Sequence, residues 1–137
     1  VFIEGVPSFH DDEKGAKRGS NIIYRFEIDD LSVTHLGDLG TELDNKQLEG
    51  LEGTDILLIP IGGVYTIDAQ KAVKVINQIE PRIVIPMHYQ VPGLKYELAP
   101  LATFIKAIGI KPREEEKLKV MKKDLPQENM EVVVLSF

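Results

Sequence analysis

The chain has 137 residues, of which 43% are apolar and 28% are charged, and its formal net charge is −6. This composition is typical of a globular domain and excludes disordered and collagen-like chains. The absence of cysteine excludes disulfides, thiolate nucleophiles and cysteine-based zinc sites. The acidic balance argues against a nucleic-acid partner, because phosphate binding normally requires clustered basic residues.

The length predicts one domain over residues 1–137. No apolar run is long enough to cross a bilayer and no signal peptide is visible, so we expect a cytoplasmic protein without membrane contact. The chain begins at Val1, inside an apolar run. We therefore expect it to be part of a longer protein.

The first third of the chain is predicted to form antiparallel strands. The apolar, β-branched run VFIEGVPSF predicts a strand that stops at His10. The charged loop HDDEKGAKRGSN follows, and we expect Asp11 and the acidic residues beside it to be solvated, although one of them could reach a nearby site. The runs NIIYRFEI and LSVTHL flank Asp29 and Asp30, which predicts a hairpin.

The middle of the chain predicts buried parallel strands that alternate with helices. A short helix is expected in TELDNKQLEGL, and the apolar runs DILLIPIGG and RIVIPMH predict strands buried on both faces. Between them, TIDAQKAVKVINQI predicts a helix that Thr66 or Asp68 caps and Pro81 stops. The pair Gly62 and Gly63 predicts a tight turn, since it is too short for a phosphate-binding loop.

The last part of the chain predicts a helix over about residues 96–108 and two strands at a sheet edge, KLKVMK and MEVVVLSF. The run REEEKLKVMKKD predicts a solvated surface whose apolar residues are turned inward. No internal repeat or linker divides the chain.

Three apolar runs are followed by a side chain that can bind metal, namely His10, Asp38 and His88. Functional groups often gather beyond strand ends, so we expect the three to lie at one site. Imidazole and carboxylate groups suit zinc, manganese or iron. The alternatives stay open, because each histidine could be a cap or a surface residue and Asp38 could bond only to nearby backbone amides.

Four other residues have weaker claims to a functional role. We expect His35, inside a predicted strand, to brace the following loop or support a ligand rather than bind metal. Tyr65, Thr66 and Tyr89 lie where strand-end loops could touch a substrate, but each is equally consistent with capping or packing.

The order of these motifs resembles a known family. The segments SFHDDEKGAKRGSNIIYRFEIDDLSVTHLGDLG and DILLIPIGGVYTIDAQKAVKVINQIEPRIVIPMHY resemble the second half of a metallo-β-lactamase-superfamily hydrolase. The branch they are most similar to contains small metal-dependent hydrolases related to ascorbate-lactone hydrolases. The resemblance implies an α/β chain that forms half of an αββα sandwich, a mixed sheet with helices on one face.

The resemblance also implies site residues and a cofactor. His10 and His88 would ligate metal and Asp38 would bridge two ions in a dinuclear site that holds zinc, or else manganese or iron. The family's His-x-His-x-Asp-His motif has no match in this chain. We therefore expect the C-terminal portion of such a protein, completed by a missing N-terminal half or a second chain.

Two functions are compatible with this sequence. The first is a metal-dependent hydrolase that attacks an ester, lactone, amide or phosphodiester in a small-molecule substrate. The alternative is a non-catalytic assembly or interaction module that retains the fold. Half of a sandwich should expose a large apolar face, so either function predicts a partner, which could be a second copy in a homo-oligomer.

Overall fold

The computed structural model describes residues 1–136, which form one seven-stranded sheet, three α-helices and a short 3₁₀ helix. Phe137, the last residue of the predicted final strand, lies outside the described residues. In chain order the elements are β1 (Phe2–Phe9), β2 (Ser20–Ile28), β3 (Leu31–His35), α1 (Asn45–Gly50), β4 (Ile56–Pro60), α2 (Ala69–Ile79), β5 (Ile83–Met87), α3 (Leu101–Ile108), β6 (Arg113–Glu115), the 3₁₀ helix (Lys122–Asp124) and β7 (Glu131–Leu135).

The sheet is mixed, with the strand order β1-β2-β3-β4-β5-β7-β6. The pairs β1–β2 and β2–β3 are antiparallel and all other pairs are parallel. The predicted hairpin is confirmed, and its turn residues Asp29 and Asp30 have positive φ angles of 49° and 67°, as two-residue hairpin turns require. Two antiparallel steps make β1 run in the same direction as β3, β4 and β5. The C-terminal ends of these four strands therefore lie at one edge of the sheet.

The three α-helices lie on the same face of the sheet, as predicted. Helix α2 begins at the cap Asp68, whose Oδ1 accepts a 2.9 Å hydrogen bond from the Lys71 amide. The other predicted cap, Thr66, instead donates its hydroxyl to the Ile67 carbonyl. Alternate sheet residues and one side of each helix form the main core, whose largest fully buried members include Phe104, Leu57, Ile59, Ile76 and Ile23.

Three predictions in the last third of the chain are wrong. Helix α3 begins at Leu101 rather than near residue 96, because Pro100 caps it and a residue before proline is disfavoured in a helix. The run KLKVMK is not a strand, and the edge strand is β6 instead. Strand β7 is not at the edge, since it pairs with both β5 and β6.

The segment around residues 117–125 covers part of the second face of the sheet. Leu118, Val120 and Leu125 pack there against strand residues such as Ile83 and Ile85. The prediction that the apolar residues of the run turn inward is therefore confirmed for Leu118 and Val120 but wrong for Met121, which is 56% exposed. The Lys122 ammonium lies 2.9 Å from a carboxylate oxygen of the buried Asp55 and ties the segment to the sheet.

The rest of this second face is uncovered at β1 and β2. Alternate residues of a strand point to the same face, and Ile22, Tyr24 and Ile28 of β2 lie on the same side as Ile3 of β1. These four side chains are between 38% and 56% exposed. An uncovered apolar patch is therefore present on this part of the face, and the name "open face" is used below for these four residues.

Candidate metal site

The predicted ligands meet at the edge of the sheet where β1, β3 and β5 end. His10 directly follows β1, Asp38 lies in the turn after β3, and His88 directly follows β5. All three line one open depression, and His10 Nε2 lies 3.5 Å from Asp38 Oδ2. The expectation that the three strand ends bring these residues together is confirmed, while their binding of metal stays a prediction.

Two glycines allow the surrounding loops to approach the histidines closely. The Gly40 amide donates a 2.9 Å hydrogen bond to the Phe9 carbonyl, and a Cβ at this position would collide with the His10 carbonyl. Gly62 of the predicted tight turn lies equally close to the His88 carbonyl. The backbone on either side of the depression is thus fixed by contacts that only glycine permits.

Asp11 is buried and organises the loop after His10, so the prediction that it is solvated is wrong. Its Oδ1 accepts hydrogen bonds of 2.8 Å from two backbone amides and its Oδ2 accepts two more of 2.9 and 2.7 Å. Burial raises the pKa of this carboxyl, but the hydrogen bonds outweigh burial and lower the pKa to about 2. The donors are the amides of Glu13, Gly15, Lys17 and Arg18.

We expect Asp11→Asn to lower the melting temperature at neutral pH, because an amide can accept fewer of these hydrogen bonds than a carboxylate. A lowered pKa means that the carboxylate stabilises the fold above its unfolded pKa of about 3.9 and that this contribution is lost as pH falls towards 2. The difference between the parent chain and the variant should therefore shrink between about pH 4 and pH 2. Thermal melts across this pH range measure the difference in melting temperature. The control is Asp12→Asn, which changes the exposed neighbour. An equal loss in both variants would contradict this role.

Asn21 and His35 hold the turn that carries Asp38. The Asn21 side chain accepts a 3.1 Å hydrogen bond from the Asp38 amide and donates one of 2.9 Å to the Leu36 carbonyl. His35 Nδ1 accepts a 3.0 Å hydrogen bond from the Gly37 amide, which confirms that it braces the loop. Sequence reasoning missed Asn21, because its partners lie on a different strand and a loop.

Two features of the histidines distinguish them from ordinary surface residues. His88 has a positive φ of 55°, which is uncommon for a residue other than glycine and costs about 1–3 kcal/mol. The Nδ1 atoms of His10 and His88 are buried and have no hydrogen-bond partner among residues 1–136. A buried polar atom without a hydrogen-bond partner is costly. An imidazole nitrogen that accepts no hydrogen bond can instead bind a metal ion.

The donor types fit a divalent ion, but the chain does not enclose one. Two imidazoles and a carboxylate are ligands that zinc, manganese and iron accept. In the part of the chain that the structure describes, however, no group of three or more His, Asp or Glu side chains is arranged to hold an ion. Asp38 itself is 55% exposed at its side chain.

Of the three candidate substrate contacts, only Tyr65 lines the depression. Thr66 is buried beside the turn. Tyr89 packs against the main core, where burial and then the charge of Glu114 raise the pKa of its hydroxyl. Arg18 and Tyr96 also line the depression, and the sequence patterns did not single them out.

The chain matches known proteins in sequence. A family model described as a β-lactamase superfamily domain matches residues 1–88. A UPF0173 metal-dependent hydrolase of Thermofilum pendens is 34% identical over 124 residues, which cover 82% of this chain and 53% of that protein. A UPF0173 metal-dependent hydrolase of Pyrococcus horikoshii is 32% identical over 125 residues, with coverages of 86% and 56%. The chain thus spans about half the length of these relatives.

Solved structures show the same fold. A Thermotoga maritima protein, described as a Zn-dependent hydrolase of the metallo-β-lactamase superfamily, has a TM-score of 0.82 and 35% identity, and the match covers 97% of this chain and 63% of that one. A protein from Parabacteroides distasonis has a TM-score of 0.61 at 19% identity, which shows the fold alone.

The mixed sheet with helices on one face is therefore the α/β architecture of a metallo-β-lactamase fold, as predicted. The chain belongs to the β-lactamase superfamily, since the family model matches more than half of its residues. Within residues 1–136 no helix combines the length and apolar character that a membrane span requires.

Proposed function

We propose that this chain carries part of a divalent-metal site in a hydrolase, with His10 and His88 as ligands and Asp38 bridging two ions. The observation that supports this most directly is the meeting of the three residues in one depression, where each histidine keeps a buried ring nitrogen without a partner among the described residues. Zinc is the ion we favour, because the related T. maritima protein is described as Zn-dependent. Manganese and iron are the alternatives.

When bound, a divalent ion would activate water as a nucleophile and polarise the bond under attack. Neighbouring residues of this chain orient the proposed ligands. Asn21 holds the amide of Asp38, and the Asp11 carboxylate fixes the loop that follows His10. The substrates that suit this chemistry are small molecules with an ester, lactone, amide or phosphodiester bond.

We also propose that further ligands come from outside this chain. Three ligands are too few for two ions, and the described residues do not enclose even one. The relatives named as metal-dependent hydrolases are about twice as long as the matched part. The open face is where an additional protein segment, or a second chain, would pack beside the depression, because its residues are apolar and uncovered.

We expect Ile3→Lys to reduce self-association of the isolated chain, because an exposed apolar face of this kind promotes contact between copies. Ile3 belongs to the open face, whereas its neighbour Phe2 points to the opposite face and is also exposed. Phe2→Lys is therefore the matched control and should leave association unchanged. Sedimentation velocity over a range of concentrations measures the effect, and equal behaviour of the two variants would contradict the role of the open face.

The open face also favours a second candidate function, a non-catalytic assembly module. Such a module would form stable oligomers, and its folding would not depend on metal. Stoichiometric zinc that strongly raises the melting temperature would exclude it, because only a ligand that binds the folded state stabilises it.

The hydrolase proposal is tested with a chimera. The part of the T. maritima protein that this chain does not cover is joined to this chain, and hydrolysis of nitrophenyl esters and bis(nitrophenyl) phosphate is followed with and without zinc. We expect zinc-dependent turnover that Asp38→Ala abolishes, while Asp44→Ala, at the exposed cap of α1, retains it. A folded chimera without zinc-dependent turnover, or one whose turnover survives Asp38→Ala, would overturn the proposal.

A further inference from the structure

The rim of the depression carries three side chains that the metal chemistry does not use. These are Arg18, Tyr65 and Tyr96. The guanidinium carbon of Arg18 lies 5.5 Å from the centre of the Tyr65 ring. The rings of Tyr65 and Tyr96 meet edge to face, with their centres 5.6 Å apart. The three side chains thus form one continuous group beside His10, Asp38 and His88.

The charge of Arg18 is not neutralised within the described residues. No carboxylate among residues 1–136 lies within 4.0 Å of its guanidinium, whereas Arg25 and Arg113 both have glutamate partners. The chain contains 22 acidic and 16 basic residues, so carboxylates that could pair with an arginine outnumber the cations. A guanidinium has five N–H donors and no acceptor. The donors of Arg18 are therefore available to a ligand in the depression.

The backbone of Arg18 is held in place by a buried carboxylate. Its amide donates a 2.7 Å hydrogen bond to Asp11 Oδ2. The next residue, Gly19, accepts a 3.0 Å hydrogen bond from the His10 amide through its carbonyl. The root of the Arg18 side chain is thus fixed directly beside His10.

The chemistry of this group fits an anion attached to an apolar or ring-shaped part. A planar guanidinium binds carboxylate or phosphate through two parallel hydrogen bonds. A cation–π contact with the Tyr65 ring holds the guanidinium at the rim of the depression, and the N–H edge of the guanidinium has no carboxylate partner among residues 1–136. The exposed faces of Tyr65 and Tyr96 offer an apolar surface beside that edge.

We propose that Arg18, Tyr65 and Tyr96 form a recognition subsite for a carboxylate or phosphate group of the substrate. The substrate class is then an anionic ester, lactone, amide or phosphodiester rather than a neutral one. The catalytic consequence rests on the proposed hydrolase function, whereas binding of the anion requires no metal.

The test is binding of small probes to the metal-free chain, followed by NMR titration. The probes are phenylacetate, phenylphosphonate and the neutral 2-phenylethanol. We expect at least one anion to bind at least about tenfold more tightly than the neutral probe. The stronger of the two anions shows whether the subsite prefers carboxylate or phosphate.

Variants assign the binding to this group. Arg18→Gln should weaken anion binding about tenfold or more, and Tyr96→Ala should weaken all ring-containing probes. Arg18→Lys should retain part of the affinity, because it keeps the charge but not the paired geometry. Lys17→Gln, which changes a neighbouring exposed cation paired with Glu13, should leave binding unchanged. Thermal melts confirm that each variant is folded.

The inference is overturned if neither anion binds more tightly than 2-phenylethanol, or if folded Arg18→Gln binds the anions as well as the parent chain does. These outcomes are separate from those of the hydrolase test. Arg18-dependent binding beside a chimera without turnover would leave the subsite standing and reject the hydrolase. Zinc-dependent turnover with no Arg18-dependent anion binding would reject the subsite and leave the hydrolase standing.

Discussion

Gly40→Ala is expected to destabilise the fold by about 3 kcal/mol or more. The added Cβ would collide with the His10 carbonyl and the Asp11 amide, which are backbone atoms rather than the ends of flexible side chains. These atoms cannot move aside easily, because the Gly40 amide bonds to the Phe9 carbonyl and the Asp11 carboxylate holds the following loop. Chemical denaturation of the parent chain and the variant measures the loss.

The matched control for this prediction is Gly50→Ala at the end of α1. An added Cβ there would meet only the Val6 side chain, at an ordinary contact distance of 3.5 Å. This variant should be neutral or slightly more stable, since alanine is a better helix former than glycine. If the two substitutions changed the free energy of unfolding equally, the close approach of Gly40 to the His10 backbone would not contribute to stability.

His88→Gly is expected to lower zinc affinity by at least about 100-fold, because loss of even the residues that support a ligand costs 10–100-fold. The same change should make the metal-free fold about 1 kcal/mol more stable than His88→Ala, since glycine adopts a positive φ without strain. Zinc titration and chemical denaturation of both variants give the two numbers.

This pair of variants separates a functional histidine from a structural one. A histidine that is retained only for packing would leave zinc binding unchanged with either replacement. Loss of zinc binding together with relief of strain in His88→Gly would show that the strained conformation serves the site. Equal stability of the two variants would contradict the strain at this position.

Local patterns in the sequence predicted the buried strands, the helix α2 and the hairpin turn. The continuous apolar runs of β4 and β5 reflect burial on both faces of the sheet, and the helical spacing of α2 reflects burial of one side of the helix. The two aspartates of the β2–β3 turn predicted a hairpin, because short polar residues tolerate positive φ. The positions of His10, Asp38 and His88 after apolar runs then predicted their convergence, since strands that run in one direction end at one edge.

The predictions that failed depend on contacts between distant segments. The run KLKVMK has strand-like alternation, but Leu118 and Val120 pack on the face of the sheet instead of pairing at its edge. Asp11 looks like one of several loop carboxylates, and only the folded backbone brings four amides around it. Gly40 carries no local signal, because the constraint on it comes from His10, which lies far away in sequence.

The most direct test of the central claim is a calorimetric titration of zinc into this chain, the variants His10→Ala and Asp38→Ala, and the control Asp12→Ala. We predict that the parent chain binds zinc, though more weakly than complete structural sites, whose binding free energies are about 10–16 kcal/mol. Both site variants should lose at least about tenfold in affinity, and the control should bind as the parent does. No zinc binding by the parent chain, or binding that survives both site substitutions, would contradict the assignment of His10 and Asp38 to a metal site.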